Sequence, residues 1–136
     1  MLTPEQRLAM LEPPVKPVDM VIDSDAYNEI DDQFAIAYAL LQPERIHVRA
    51  LYAAPFLNQN STSPEDGMIR SEEEMHRLLK LLQMEREVYA GSRHYLPDEQ
   101  TPVISPAAQD LAERAMAYSP DNPLYFSALE FPILCW

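Results

Sequence analysis

The stretch Val18-Asp19-Met20-Val21-Ile22-Asp23-Ser24-Asp25-Ala26-Tyr27-Asn28-Glu29-Ile30-Asp31-Asp32 decides how this chain is read. Its apolar first part, residues 18–22, has the make-up of a buried strand. The acidic run follows where such a strand emerges and a helix begins. Five carboxylates lie between Asp23 and Asp32, and at that density they repel one another strongly unless a cation sits among them. Asp31 and Asp32 fall in the first turn of the next segment, where the positive end of a helix dipole favours them. From there Asp32-Gln33-Phe34-Ala35-Ile36-Ala37-Tyr38-Ala39-Leu40-Leu41 reads as a largely buried helix stopped by Pro43.

Strands and helices alternate on either side. Upstream, Thr3-Pro4-Glu5-Gln6 has the form of a capping box opening a short helix that Pro13-Pro14 ends. Downstream, Ile46-His47-Val48-Arg49-Ala50-Leu51-Tyr52-Ala53-Ala54 begins by alternating and ends apolar, as a strand entering a sheet interior does. Residues 57–67 are polar and read as a loop. Met75, Leu78, Leu79 and Leu82 then form the stripe of an amphipathic helix, with Glu72, Glu73, Glu74 and Arg77 outside. Val88-Tyr89-Ala90 is a third strand closed by Gly91. Ser105-Pro106 caps a helix bearing Ala108, Leu111, Ala112, Ala115 and Met116, and residues 124–129 are a fourth strand. The expectation is one α/β domain with an open, mostly parallel sheet, flanking helices and a Rossmann-like core. Ligands of such sheets sit at the carboxyl ends of the strands, where the acidic turn and the Asn-rich loop both fall.

Composition narrows the function. The chain has 136 residues, 47% hydrophobic and 24% charged, enough for one core. Ten basic against 22 acidic residues give a formal charge of −12, which opposes nucleic acid and anionic membrane as partners. The two glycines, Gly67 and Gly91, exclude a P-loop and a dinucleotide fingerprint, which both need clustered glycine. Cys135 is the single cysteine, so no intramolecular disulfide forms and a reducing compartment is expected. Without a membrane-length apolar run or a signal-peptide pattern, a soluble cytoplasmic protein is the expectation.

The chemistry of the acidic turn follows from its ligand types. Carboxylate and amide oxygens, with no neighbouring His or Cys, select a hard cation, and calcium suits irregular oxygen geometry better than magnesium. A solvated helix N-terminus is the bland reading of the same residues. An EF-hand beginning at Asp23 fails, because its sixth and twelfth positions hold Asn28 and Phe34 instead of Gly and Glu. A haloacid-dehalogenase-like phosphatase pattern fits poorly, since Tyr27 stands where Thr or Val belongs.

Asp23-Ser24-Asp25, followed by Ile30-Asp31-Asp32 and an Ala-rich helix, resembles the Asp-x-Asp-Pro-Gly-x-Asp-Asp signature of the inosine-uridine preferring nucleoside hydrolases. Pro43-Glu44-Arg45-Ile46, the loop at Asn58, Val88-Tyr89-Ala90-Gly91, Pro106-Ala107-Ala108 and Leu124-Tyr125 look like that family in the same order. The resemblance spans residues 18–129. It implies a calcium ion contacting both ribose hydroxyls and the attacking water. By resemblance, Asp25 is metal ligand and general base, Asp32 a second metal ligand, Asp23 a supporting carboxylate of the metal site, and Asp31 a ribose hydroxyl acceptor. Asn58, or alternatively Asn60, supplies the ribose-contacting amide. The implied reaction is hydrolysis of the N-glycosidic bond of a ribonucleoside through an oxocarbenium-like transition state.

Two departures stand beside the match. The longer Ala26-Tyr27-Asn28-Glu29 replaces Pro-Gly, so the turn takes another path and Tyr27, Asn28 or Glu29 can enter the pocket. Family members are longer, so the chain is expected to be their N-terminal portion, with 130–136 a non-family tail and a homo-oligomer an option for a full-length protein. His47, His76 and His94 are read as surface or packing residues, and Tyr125 and Phe126 as core. The competing function is a non-catalytic acidic α/β domain that binds a cation or a partner protein.

Overall fold

The strand at the head of the acidic run sits inside the sheet. Val18–Ser24 is β1, and it pairs in parallel with β2, Ile46–Ala53, on one side and with β4, Leu124–Ala128, on the other. The strand β3, Glu87–Ala90, extends the sheet beyond β2, giving the all-parallel order β3-β2-β1-β4. The computed structural model describes residues 3–98 and 100–129, so the expectation for 130–136 and Cys135 falls outside the described residues.

Helices cover both faces. On one face α2, Ile30–Leu40, and α3, Pro64–Leu82, bury Ile36, Leu40, Met68, Met75 and Leu79 against Ile22 and Leu51. On the other, α4, Pro106–Ala115, places Ala107 and Leu111 against Val21, Ala50 and Tyr52. Adjacent residues of β1 therefore feed opposite cores, which is why residues 21–24 are buried without alternation. The pairing register slips between Met20 and Val21, so that β2 carries one extra residue there. Its packing phase changes accordingly: Val48 joins the α2–α3 side and Ala50 the α4 side. The chain runs outward from β1 through β2 to β3 and then returns to β4 on the far side of β1. That reversal creates a topological switch point at the exits of β1 and β4.

Caps written in the sequence form as expected. Thr3 and Gln6 close a capping box on α1, Pro4–Ala9. Ser105 accepts from Ala108 N at 3.1 Å at the start of α4.

Four expectations need correction. The helix α2 is not largely buried. Only Asp32, Ile36, Ala39 and Leu40 are, while Ile30, Phe34, Tyr38 and Leu41 face outward, because a single layer of helix covers this side and only one flank of α2 meets the sheet. Residues 64–67 belong to α3 and not to a loop: Ser63 accepts from Asp66 N at 3.1 Å and Pro64 occupies the first helical turn, the same Ser-Pro start as in α4. Glu74 does not point outward but is buried and bound in bidentate fashion by Arg77. On α4, Ala112, Ala115 and Met116 are likewise exposed, since the helix meets the sheet through Ala107 and Leu111.

Both glycines are sites of close backbone approach. A Cβ on Gly67 would lie 2.1 Å from the Phe56 carbonyl oxygen, and one on Gly91 would lie 2.3 Å from that of Ala53. Gly91 N also donates to Ala53 O at 3.0 Å. Helix α3 and the exit of β3 are thus pressed against the segment that leaves β2. Among the described residues no helix is long and apolar enough to cross a membrane.

Candidate functional site

The acidic run emerges at the switch point, held by main-chain bonds from both neighbouring strands. Leu129 N donates to Asp23 O at 3.0 Å, and Ala54 N to Ser24 O at 2.9 Å. A tight turn follows: Asn28 N donates to Asp25 O at 2.7 Å, and the Asn28 side-chain amide donates to Asp25 Oδ2 at 2.9 Å. Gln33 reaches back from α2 to Ala26 O at 3.3 Å. On the same helix Asp32 turns inward and accepts a short 2.5 Å bond from the Ser24 hydroxyl. Asp23, Asp25 and Asp32 are all buried, with relative exposures of 4%, 4% and 3%.

Burial sets the electrostatics. Desolvation first, and then the charge of Asp25, push Asp23 up to about 7 from its ordinary 3.8. Asp32 is also raised, chiefly by burial and further by Asp31 and Glu29, against the opposing hydrogen bond from Ser24. Other carboxylates of this protein behave in the opposite way. Asp19 is desolvated as well, yet Arg49, Tyr118 and His47 hold it below the usual range. Asp110 is lowered, despite burial, by Arg114 and Tyr52. No basic side chain among the described residues pairs with Asp23 or Asp32. A concentration of raised carboxylates beside lowered ones elsewhere marks the strand exits as the candidate site.

The Asn-bearing loop docks on this turn. Asn58 donates its side-chain amide to Asn28 Oδ1, and the Asn60 side chain donates to Asn28 O at 3.3 Å. Asn58 Oδ1 accepts from Asn60 N at 2.8 Å, which fixes the loop's own bend. The far end is secured by Ser61, whose hydroxyl donates to Phe56 O at 2.9 Å. Amides and carboxylate therefore run in one chain from Asn60 through Asn58 and Asn28 to Asp25.

Of the residues singled out in the sequence, Asp23, Asp25 and Asp32 gather at the buried exit of β1. Asn58 and Asn60 join them through Asn28. Asp31 lies exposed on the first turn of α2, outside the buried group. His47 is held at 3.1 Å by Asp19 at the start of the strands, and His76 and His94 are exposed. Tyr125 and Phe126 are not core residues: on the edge strand β4 Phe126 is 37% exposed and Tyr125 only partly buried. Two members of the site were not assigned a part by pattern. Asn28 carried a signal, an amide three residues after an aspartate in a turn, whereas nothing local announced that Ser24 would meet Asp32.

The oxygen donor types and the raised proton affinities of Asp23 and Asp32 fit a hard divalent cation. The positions are less complete. Among the described residues no group of three or more His, Cys, Asp or Glu side chains is placed to hold a metal ion. Asp32 is directed to Ser24, and Asp25 Oδ2 to Asn28. A cation among them would take over positions that these hydrogen bonds now hold. Comparison with protein-family models, with curated proteins and with solved structures finds no match for this chain.

Proposed function

We propose that this chain carries the ribose- and calcium-binding part of a nucleoside hydrolase of the inosine-uridine preferring type, which splits the N-glycosidic bond of ribonucleosides into ribose and free base. The observation that carries the reading is the burial of Asp23, Asp25 and Asp32 at the switch point, two of them with raised proton affinity. Calcium, when bound there, would supply Lewis acidity and orient a water beside the sugar diol. Asp25 takes the proton of the attacking water, and the Asn28 amide orients its carboxylate. Ser24 fixes Asp32 in the same way. Asn58 presents an amide to the ribose, exchanging its Asn28 partner for a sugar hydroxyl, and Asp31 accepts a second hydroxyl at the rim. Burial of Asp23, Asp25 and Asp32 at the β1 exit lowers the local dielectric and strengthens their contacts in the oxocarbenium-like transition state. The test is calcium-dependent release of ribose from inosine and uridine. Turnover that disappears in Asp25→Asn supports the reading. Its absence in the parent chain under saturating calcium rejects hydrolysis by this chain.

A second reading has its own observation. Ile30, Phe34, Tyr38 and Leu41 form an exposed apolar stripe along α2, as a non-catalytic acidic α/β domain that engages a partner protein would present. Under it, Asp25→Asn changes cation binding alone.

A further inference from the structure

The outward side of α2 is built like half of an interface. Ile30, Phe34, Tyr38 and Leu41 are 68%, 69%, 67% and 55% exposed, on the flank opposite the buried Ile36, Ala39 and Leu40. We infer that a second copy of this chain covers this stripe, with the two α2 helices packed antiparallel across a twofold axis. That pairing names the occupant that the second reading above leaves to a partner protein, and it holds whether or not the carboxylates hydrolyse a nucleoside.

Three observations carry it. First, charge is missing where exposure is high. From Gln33 to Gln42 no residue is charged, in a chain of which 24% is charged and whose net charge is −12. A solvated helix face carries charged side chains, whereas the centre of an interface is depleted of them and enriched in aromatic residues, here Phe34 and Tyr38. Secondly, the stripe reads alike from either end. Phe34 and Tyr38 flank Ile36 closely, and Ile30 and Leu41 lie farther out on either side. An antiparallel copy therefore sets Phe34 of one chain against Tyr38 of the other, twice over, and Ile30 against Leu41. Aromatic meets aromatic and aliphatic meets aliphatic, the self-complementarity that a twofold interface demands and an unrelated partner does not. Thirdly, the charges at the helix ends fix the direction. Glu29 and Asp31 stand at the head of α2, while beyond its end Glu44 and Arg45 offset each other. A parallel pair would bring the two acidic heads together. The antiparallel pair separates them by the length of the helix, about 16 Å, which is more than a Debye length at physiological salt.

The half-buried Ala35 and Ala37 beside the stripe let the two helices approach closely. Four large side chains, each more than half exposed, offer on the order of 500 Å² per copy, at the low end for specific interfaces, so the dimer should dissociate in the micromolar range.

The experiment is sedimentation equilibrium of the full chain, without calcium or nucleoside, from about 1 to 500 µM. The apparent mass should rise from 15.6 kDa towards twice that value. Added salt, which screens the −12 carried by each copy, should tighten the association severalfold. Phe34→Glu and Tyr38→Lys should each weaken it at least tenfold with circular dichroism unchanged, since both side chains lie outside the core. Mixing these two variants should restore most of it, because the antiparallel pairing sets positions 34 and 38 opposite one another. Asp25→Asn at the β1 exit, and Met116→Glu on the far face beyond α4, should pair as the parent does. A monomer at every concentration, a dimer indifferent to Phe34→Glu, or an equal loss in Met116→Glu would each overturn the pairing, and the first would return the stripe to a different protein. A mixture that stays monomeric would overturn the antiparallel arrangement.

Discussion

The Asn58 side-chain amide donates to the Asn28 side-chain oxygen across 30 positions of sequence. Asn28 in turn donates to Asp25, so the order of the 58–62 loop and the orientation of the Asp25 carboxylate are set by the same amide. A double-mutant cycle with Asn28→Ala and Asn58→Ala should give a coupling of about 1 kcal/mol, with each single variant costing roughly 1–2 kcal/mol. Urea midpoints of the four proteins measure it, and additive losses would show the bond to be energetically idle.

The proton affinity of Asp23 predicts how stability changes with pH. Its folded value, about 7, exceeds the ordinary 3.8. Between these values the folded chain binds a proton that the unfolded chain has released, so stability falls as pH rises through the window and levels off above 7. The raised Asp32 acts in the same direction. Removing the ionisable group in Asp23→Asn should flatten this slope by on the order of 2–4 kcal/mol across the window. Melting temperatures of parent and variant between pH 4.5 and 8.5 check it; parallel curves would contradict the assignment.

Calcium should reverse that penalty. At pH 8, where the buried carboxylates are most often ionised, a cation bound to the folded state alone stabilises it by about 2.7 kcal/mol at a hundredfold excess over its dissociation constant. Chelation should return the melting temperature to its starting point, and Asp32→Asn should abolish the response. An identical rise in Asp32→Asn would assign the effect to a different cation site.

Gly67 should tolerate no side chain. Alanine there must displace the Phe56 backbone from 2.1 Å, and no rotamer can relieve a Cβ. Gly67→Ala should therefore destabilise by roughly 1–3 kcal/mol or more and loosen the loop between Phe56 and Ser63. Calorimetry measures the first effect and hydrogen exchange of residues 57–62 the second. Unchanged stability would mean that α3 can shift away from that loop at little cost.

Much of the fold was legible because its signals are local. The Ser105-Pro106 start, the Thr3 capping box and the apolar run of 50–53 each announce an element within a few residues. The Ser63-Pro64 start carried the same signal as Ser105-Pro106, but it was submerged in a polar stretch. What the sequence hid depends on the neighbours an element meets. Phe34 and Tyr38 look like core residues until the helix has only one sheet to cover, and Glu74 looks solvated until Arg77 folds over it. Within the site, the three aspartates could be read from spacing after a strand. The bond from Ser24 to Asp32 needed the helix to turn back over the strand end, and the contact of Asn58 with Asn28 needed two loops to meet.

The two ends of the sheet differ in how their acids are balanced. Where the strands begin, Asp19 is met by Arg49 and His47, and Glu87 by Arg114. Where they end, Asp23 and Asp32 face no such partner among the described residues. Salt bridges thus balance the acids where the strands begin, whereas at the β1 exit burial raises the proton affinity of Asp23 and Asp32 instead. Under the proposed function, capture of a divalent ion at that exit should speed up as pH rises through about 7 and should slow once added salt shortens the Debye length below about 10 Å.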